Sequence, residues 1–186
     1  MRTFLTLVPD AVTALAIDKW CGLCWPALVR RIPVQNYHMT VAFLGDTDDT
    51  ALQMLAEIQD NFSHPSFDMQ LDEVGFFADS GLLWLGSKTV PDQLESLQKK
   101  CVQAANRIGC RGSTKNYRPH ITLARKAGSP PAAALIDPDF SFTAERLELW
   151  SSVRTPDGAR YSTLTCLLYT SPSPRDATLS RMPSSA

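Results

Sequence analysis

Two short stretches of this chain share one pattern. Tyr37-His38-Met39-Thr40-Val41-Ala42-Phe43-Leu44-Gly45 and Tyr117-Arg118-Pro119-His120-Ile121-Thr122-Leu123-Ala124-Arg125 each carry a His-x-Thr triplet inside an apolar run. The chain has three histidines, and two of them sit in this pattern. In a strand, residues i and i+2 point to the same side. His38 and Thr40 then share one face, with Met39, Val41 and Phe43 on the other. His120 and Thr122 share a face opposite Ile121 and Leu123. If the two strands are neighbours across a cleft, two imidazoles and two hydroxyls converge.

That set suits proton transfer at phosphorus. An imidazole titrates near pH 6.5, so its basic and acidic forms are both available close to neutrality. One member of a pair takes a proton from a nucleophile while the other gives one to the leaving oxygen. Threonine hydroxyls hold phosphoryl oxygens, and an arginine balances developing charge. This chemistry requires no metal. A lone strand histidine beside a threonine is usually an ordinary hydrogen-bonded residue; the doubling is what carries the catalytic reading.

The elements that must position these residues follow from the rest of the sequence. With 186 residues the chain fits one domain, or two small lobes sharing a core. A hydrophobic content of 44% and a charged content of 20% belong to a globular chain. The formal net charge of −1 supplies no global field for long nucleic acid, which leaves a short anionic ligand gripped locally. No apolar run approaches the roughly 20 residues that span a bilayer. The opening Met1–Asp10 stretch reads as a strand and not as a secretory signal, so a cytoplasmic protein without membrane partners is expected. The five cysteines include one Cys21-x-x-Cys24 pair. A zinc or redox role for that pair competes with the plainer reading of reduced thiols in and near a helix.

Residues 3–8 read as a strand, and Asp10 as the N-cap of a helix that runs to about Cys24 and stops at Pro26. Arg30-Arg31 reads as a solvated basic pair, with phosphate contact as the alternative. The first motif strand closes at Gly45-Asp46. Helical spacing covers Asp48–Asn61, and His64 reads as a surface residue. Strands follow at 67–71 and 82–86; Phe76, Phe77 and Trp84 belong to the core or reach the cleft. Pro91-Asp92 opens an amphipathic helix ending at Gly109. Arg111–Asn116 and Lys126–Pro138 read as loops. Phe140–Trp150 reads as one strand and Tyr161 to about Thr165 as the last.

Residues 1–165 are expected to form one domain of two pseudo-symmetric lobes. Residues 166–186 form a Ser- and Pro-rich tail without periodicity. It resembles translated sequencing-adaptor read-through; a native disordered tail is the alternative.

Several stretches carry a resemblance. Asn36–Gly45, Trp84-Leu85-Gly86, Arg118–Arg125 and Gly158-Ala159-Arg160-Tyr161 together resemble the two-histidine phosphoesterase superfamily. Within it the chain is similar to the LigT/ThpR-type RNA 2′,3′-cyclic phosphodiesterases. The resemblance implies an α+β, bilobal LigT-like fold, with two antiparallel sheets flanking a central cleft and helices outside. It implies hydrolysis of terminal 2′,3′-cyclic phosphates on RNA 3′ ends or nucleotides to 2′-phosphomonoesters, by a monomer, without cofactor or metal. Matching the motifs, His38, Thr40, His120 and Thr122 would be catalytic. Arg125 would hold the substrate phosphate, with Phe43 and Tyr161 as further substrate-binding residues. His120 is taken as base and His38 as acid. Two other readings stay open: a 2′-5′ RNA ligase or phosphodiesterase on the same fold, and a non-catalytic module that binds nucleotides or RNA ends.

Overall fold

Strand β1 (Arg2–Leu7) is the strand the rest of the fold is hung on, because both its neighbours carry site residues. Phe4, Leu5 and Leu7 are buried, and so are Thr3 and Thr6. The threonines are tolerated because their hydroxyls are partnered: Thr6 donates to the Met39 carbonyl at 2.9 Å, and Thr3 meets the Thr47 hydroxyl at 3.0 Å. The structure is a computed structural model, and it describes residues 1–57, 65–110, 116–125, 130–155 and 158–166.

Helix α1 (Ala11–Cys24) follows as its caps dictate. The Asp10 carboxylate accepts the Thr13 N–H at 2.9 Å, and Thr13's hydroxyl and amide together hold that carboxyl below its usual range. The helix turns Ile17, Trp20 and Cys21 into the core, and Cys21 and Cys24 are buried free thiols there. A single 3-10 turn, Val34–Asn36, leads into β2 (Met39–Asp46). Then come α2 (Asp49–Glu57), β3 (Phe67–Leu71), β4 (Glu73–Phe77), β5 (Leu82–Gly86) and α3 (Asp92–Arg107). Gly109, at φ +79°, ends α3 in the left-handed region that favours glycine. The chain continues with β6 (His120–Ala124), β7 (Phe140–Ala144), β8 (Leu147–Thr155) and β9 (Gly158–Cys166).

The expected α+β class with antiparallel sheets is what the molecule has. One sheet has seven strands in the order β4-β5-β6-β2-β1-β8-β9, and β3 pairs with β7 in a second, two-stranded sheet. Both motif strands lie in the large sheet as neighbours. They share a single register pair, Met39 with Ile121. Beyond it they diverge, and the edge of β6 is completed by residues 30–32: Ile32 N–H donates to Leu123 at 2.8 Å and Arg125 N–H to Arg30 at 3.2 Å. Three strands therefore lie on one side of the junction and four on the other. Among the described residues no helix is long and apolar enough to cross a membrane.

Several details differ from the sequence reading. Glu73–Phe77 is a strand, paired along its whole length with β5. Phe140–Trp150 is two strands in different sheets, broken at the exposed charged pair Glu145-Arg146. The last strand begins at Gly158, before Tyr161. Arg31 is not solvated: its guanidinium donates to both the carboxylate and the carbonyl of Asp18. Residues 130–138 of the second expected loop carry no helix or strand, whereas the part of the second helix expected beyond Glu57, the surface assignment of His64, residues 111–115 and 126–129 of the two expected loops and the 167–186 tail lie outside the described residues.

Candidate active site

Each motif histidine is oriented by its own chain. His38 Nδ1–H donates to the carbonyl of Asn36 at 2.7 Å, and His120 Nδ1–H donates to the carbonyl of Arg118 at the same 2.7 Å. A carbonyl only accepts, so the neutral imidazole carries its proton on Nδ1 in both places. Nε2 is left with its lone pair. The same i−2 clamp thus sets the same tautomer twice.

The face assignments hold on β6: Ile121, Leu123 and Ala124 are fully buried, whereas His120 and Thr122 are half-buried. On β2 they hold only in part. Met39 and Val41 are buried as expected, but Phe43 is 64% exposed. The reason is a β-bulge. Thr6 pairs with Thr40 and Leu5 with Ala42, which leaves Val41 as an extra residue. The alternation slips by one, and Phe43 comes round to the side of Thr40. Its register partner is Phe4, two residues from Thr6 on the same face of β1.

His38, Thr40, Phe43, His120, Thr122, Arg125 and Tyr161 all line one cavity of about 290 Å³. Two wider hollows elsewhere, of about 490 and 660 Å³, hold no histidine. Arg125 donates from a terminal guanidinium nitrogen to the Tyr161 hydroxyl at 3.1 Å, which ties the end of the second motif to β9. The Tyr117 hydroxyl donates to the Thr40 carbonyl at 3.2 Å, so the stretch before one motif braces the backbone of the other. The hydroxyls and the guanidinium suit a phosphoryl group, with donors on several sides of one oxyanion. Among the described residues no three of His, Cys, Asp or Glu gather closely enough to hold a metal ion.

The walls around the two imidazoles differ. His38 lies among Phe4, Trp150 and Tyr161, with ring centroids 5.1, 5.2 and 5.0 Å away. His120 lies against Phe77 at 5.2 Å and Trp84 at 6.1 Å. Loss of hydration in these walls disfavours the imidazolium, and it is the main reason both pKa values fall. His38 drops to about 4; the carbonyl bond from Asn36 opposes the fall, while the charges of Arg125 and His120 add to it. His120 is lowered as well, with its Arg118 carbonyl bond opposing burial and with both Arg125 and Arg118 close by.

Sequence reasoning missed part of this construction. Arg2 and Phe4 of β1 also line the cavity. Trp84, 2% exposed, supports His120 from within the sheet. It lies so close over Gly75 that a Cβ there would come within 1.9 Å of its ring, and a Cβ on Gly86 would come within 2.8 Å of the Pro119 carbonyl. The Arg118 guanidinium covers the ring at 4.4 Å and pairs with Glu73 at 2.8 Å. The glycines two residues before Phe77 and two after Trp84 were the available signal for a bulky ring crossing the strands.

Comparison with known proteins gives a consistent picture. The family model for the 2′-5′ RNA ligase superfamily matches residues 9–156. The RNA 2′,3′-cyclic phosphodiesterase of Escherichia coli (strain K12) is 30% identical over 166 residues, covering 88% of this chain and 93% of that protein. The RNA 2′,3′-cyclic phosphodiesterase of Archaeoglobus fulgidus is 26% identical over 174 residues, covering 88% of this chain and 98% of that one. Among solved structures, that of E. coli LigT complexed with 3′-AMP superimposes with a TM-score of 0.81 at 26% identity. It covers 92% of this chain and 98% of that chain.

Proposed function

The chain belongs to the 2′-5′ RNA ligase superfamily, and from that premise we propose that it is an RNA 2′,3′-cyclic phosphodiesterase, giving 2′-phosphomonoesters. The observation that carries the reading is the pair of His-x-Thr motifs meeting in one cavity, each imidazole clamped in the same tautomer. The relatives named RNA 2′,3′-cyclic phosphodiesterase, and a LigT structure complexed with 3′-AMP, support a substrate among RNA 3′ ends or nucleotides.

The proposed mechanism is metal-independent. A water aligned with the P–O3′ bond gives its proton to His120 Nε2 as it attacks phosphorus. The P–O3′ bond breaks, and the leaving oxygen takes a proton from the imidazolium of His38. Thr40, Thr122 and Arg125 hold the non-bridging oxygens, with Phe43 and Tyr161 beside the nucleoside. Charge supports this division. An anionic phosphate offsets Arg125, which lowers both imidazoles, while the smaller lowering by Arg118 falls on His120 alone. The phosphate thereby favours protonation of His38, as the acid role requires.

The proposal also takes residues 1–165 as the working domain, acting as a cytoplasmic monomer. Phosphorus NMR of a 2′,3′-cyclic nucleotide incubated with the protein tests the activity. A 2′-phosphate resonance should appear with the wild type, persist in chelator, and be absent for His38→Ala and His120→Ala. Binding without turnover would instead make the protein a nucleotide-binding module, and chelator sensitivity would end the metal-independent mechanism.

A further inference from the structure

The cavity holds more positive charge than one cyclic phosphate needs. Arg125 reaches it from the second motif, beside Thr122, and Arg2 reaches it from the far end of β1. No carboxylate is among the residues that line it. Arg125 is engaged with Tyr161, whereas among the described residues Arg2 makes no ion pair. Asp46 faces Arg2 in the β1–β2 register, yet it neither pairs with it nor lines the cavity. The backbone beneath Arg2 is fixed: Thr47 N–H donates to the Met1 carbonyl at 2.8 Å, and Arg2 itself is laddered to β2 and β8.

Position says what this second cation is for. One face of β1 carries Thr6, Phe4 and Arg2 in turn, and Phe4 and Arg2 line the cavity. Thr6 is the register partner of Thr40, Phe4 stacks within 5.1 Å of His38, and Arg2 lies in a row with Ser152 and Tyr161. From the Thr6 level to the Arg2 level is about 13 Å of extended strand, less the length of the arginine side chain that leans back into the cavity. A phosphate gripped beside His38 and Thr40 therefore has aromatic rings next to it and a free guanidinium beyond them. That is the layout of one nucleotide with a phosphate at each end.

We propose that Arg2 binds the 5′-phosphate group of the terminal nucleotide, which makes the site select RNA ends over free nucleoside 2′,3′-cyclic phosphates. The inference rests on the phosphodiesterase reading and adds a specificity-determining residue to it. A charge-assisted contact of this kind is strong enough for a discrimination of about tenfold or more.

The test compares two substrates that differ only at the 5′ end: adenosine 2′,3′-cyclic phosphate and the same compound bearing a 5′-phosphate. In the wild type the 5′-phosphate should raise kcat/KM about tenfold. Arg2→Ala should bring that ratio close to one, and Arg2→Lys should restore part of it. Arg107→Ala, which removes an equal charge at the end of α3, should leave the ratio as in the wild type. A wild-type ratio of one, or a ratio unaltered by Arg2→Ala, overturns the proposal. Calorimetric titration with adenosine 2′-phosphate and adenosine 2′,5′-bisphosphate reads the same contact without turnover. If the wild type hydrolyses neither substrate, the phosphodiesterase reading fails, and the affinity ratio in wild type and Arg2→Ala alone decides for or against the 5′-phosphate contact.

Discussion

The two motif strands are built alike and walled differently. Both clamp an imidazole on the carbonyl two residues back at 2.7 Å, and both bury the residues between histidine and threonine. β6 bulges at Leu123, since Leu83 pairs with Ala124 and Trp84 with Thr122, which is the place equivalent to Val41 on β2, and its histidine leans on a tryptophan held between two glycines and an arginine. β2 bulges at Val41 and so adds Phe43 to the cavity, while its histidine is enclosed by three aromatic rings from β1, β8 and β9. The lesson is that a local motif fixes the tautomer, whereas strands distant in sequence fix the proton affinity. One pattern therefore yields two imidazoles in unequal surroundings, and the acid role of His38 depends on the bound phosphate to offset the wall that disfavours its imidazolium.

The largest effect that separates the two strands is chemical. His38→Ala and His120→Ala should each cost about 10²–10⁴-fold in kcat, measured as the release of 2′-phosphate. A substrate with sulfur in place of the 3′ bridging oxygen leaves as a thiolate and needs no acid. It should recover most of the loss in His38→Ala and little in His120→Ala. The opposite pattern would exchange the two roles.

The second effect is on stability. The pKa of His38 is depressed in the folded state, to about 4 against 6.5 in the unfolded chain. Between those values the unfolded state binds the proton and the folded state does not. Stability therefore rises with pH in this window and is lost on acidification. The contribution amounts to about 3 kcal/mol across the window. Urea unfolding of wild type and His38→Gln at pH 4 and pH 7 should show the wild type losing more on acidification by about that much. An equal loss in both would show that the aromatic wall does not exclude the imidazolium. His120→Gln, from the other strand, should show a difference of the same sign.

On the β6 side the corresponding test is steric. Gly75→Ala forces the Trp84 ring to shift, since the new Cβ falls within 1.9 Å of it. Overpacking of this kind costs about 1–3 kcal/mol, read as a lowered Tm. Because Trp84 supports His120, kcat should fall with it, and the stability difference between pH 4 and pH 7 that belongs to His38 should remain. The smallest effect expected is at the point where the strands are tied together. Tyr161→Phe removes the acceptor of Arg125 in an exposed pair. It should raise KM by a few-fold, in keeping with a contact of about 1 kcal/mol or less.

Much of this was legible in the sequence because it is written locally. The Asp10 cap, the α3 boundary at Gly109, and the alternation of His120, Ile121, Thr122 and Leu123 all follow from residues within one turn or one strand of each other. Phe43 was misplaced for the opposite reason. A bulge arises from two strands failing to match in length, and nothing between Met39 and Phe43 announces that Leu5 will pair with Ala42. Arg31 looked solvated because its partner, Asp18, is brought to it only when α1 docks. Glu73–Phe77 lacks clean alternation because its residues are all half-buried at the sheet edge. Arg2 looks like any charged residue near a chain start until β1 is placed between the two halves of the cavity.

The carbonyl clamp has a consequence for inheritance. The instruction for which imidazole nitrogen keeps its proton is contained in the three residues from Asn36 to His38, and again in the three from Arg118 to His120. No distant partner has to be carried along with it. Copying such a segment copies the proton's position, so a single strand that is duplicated and placed beside the original already presents two bare Nε2 atoms to whatever lies between them.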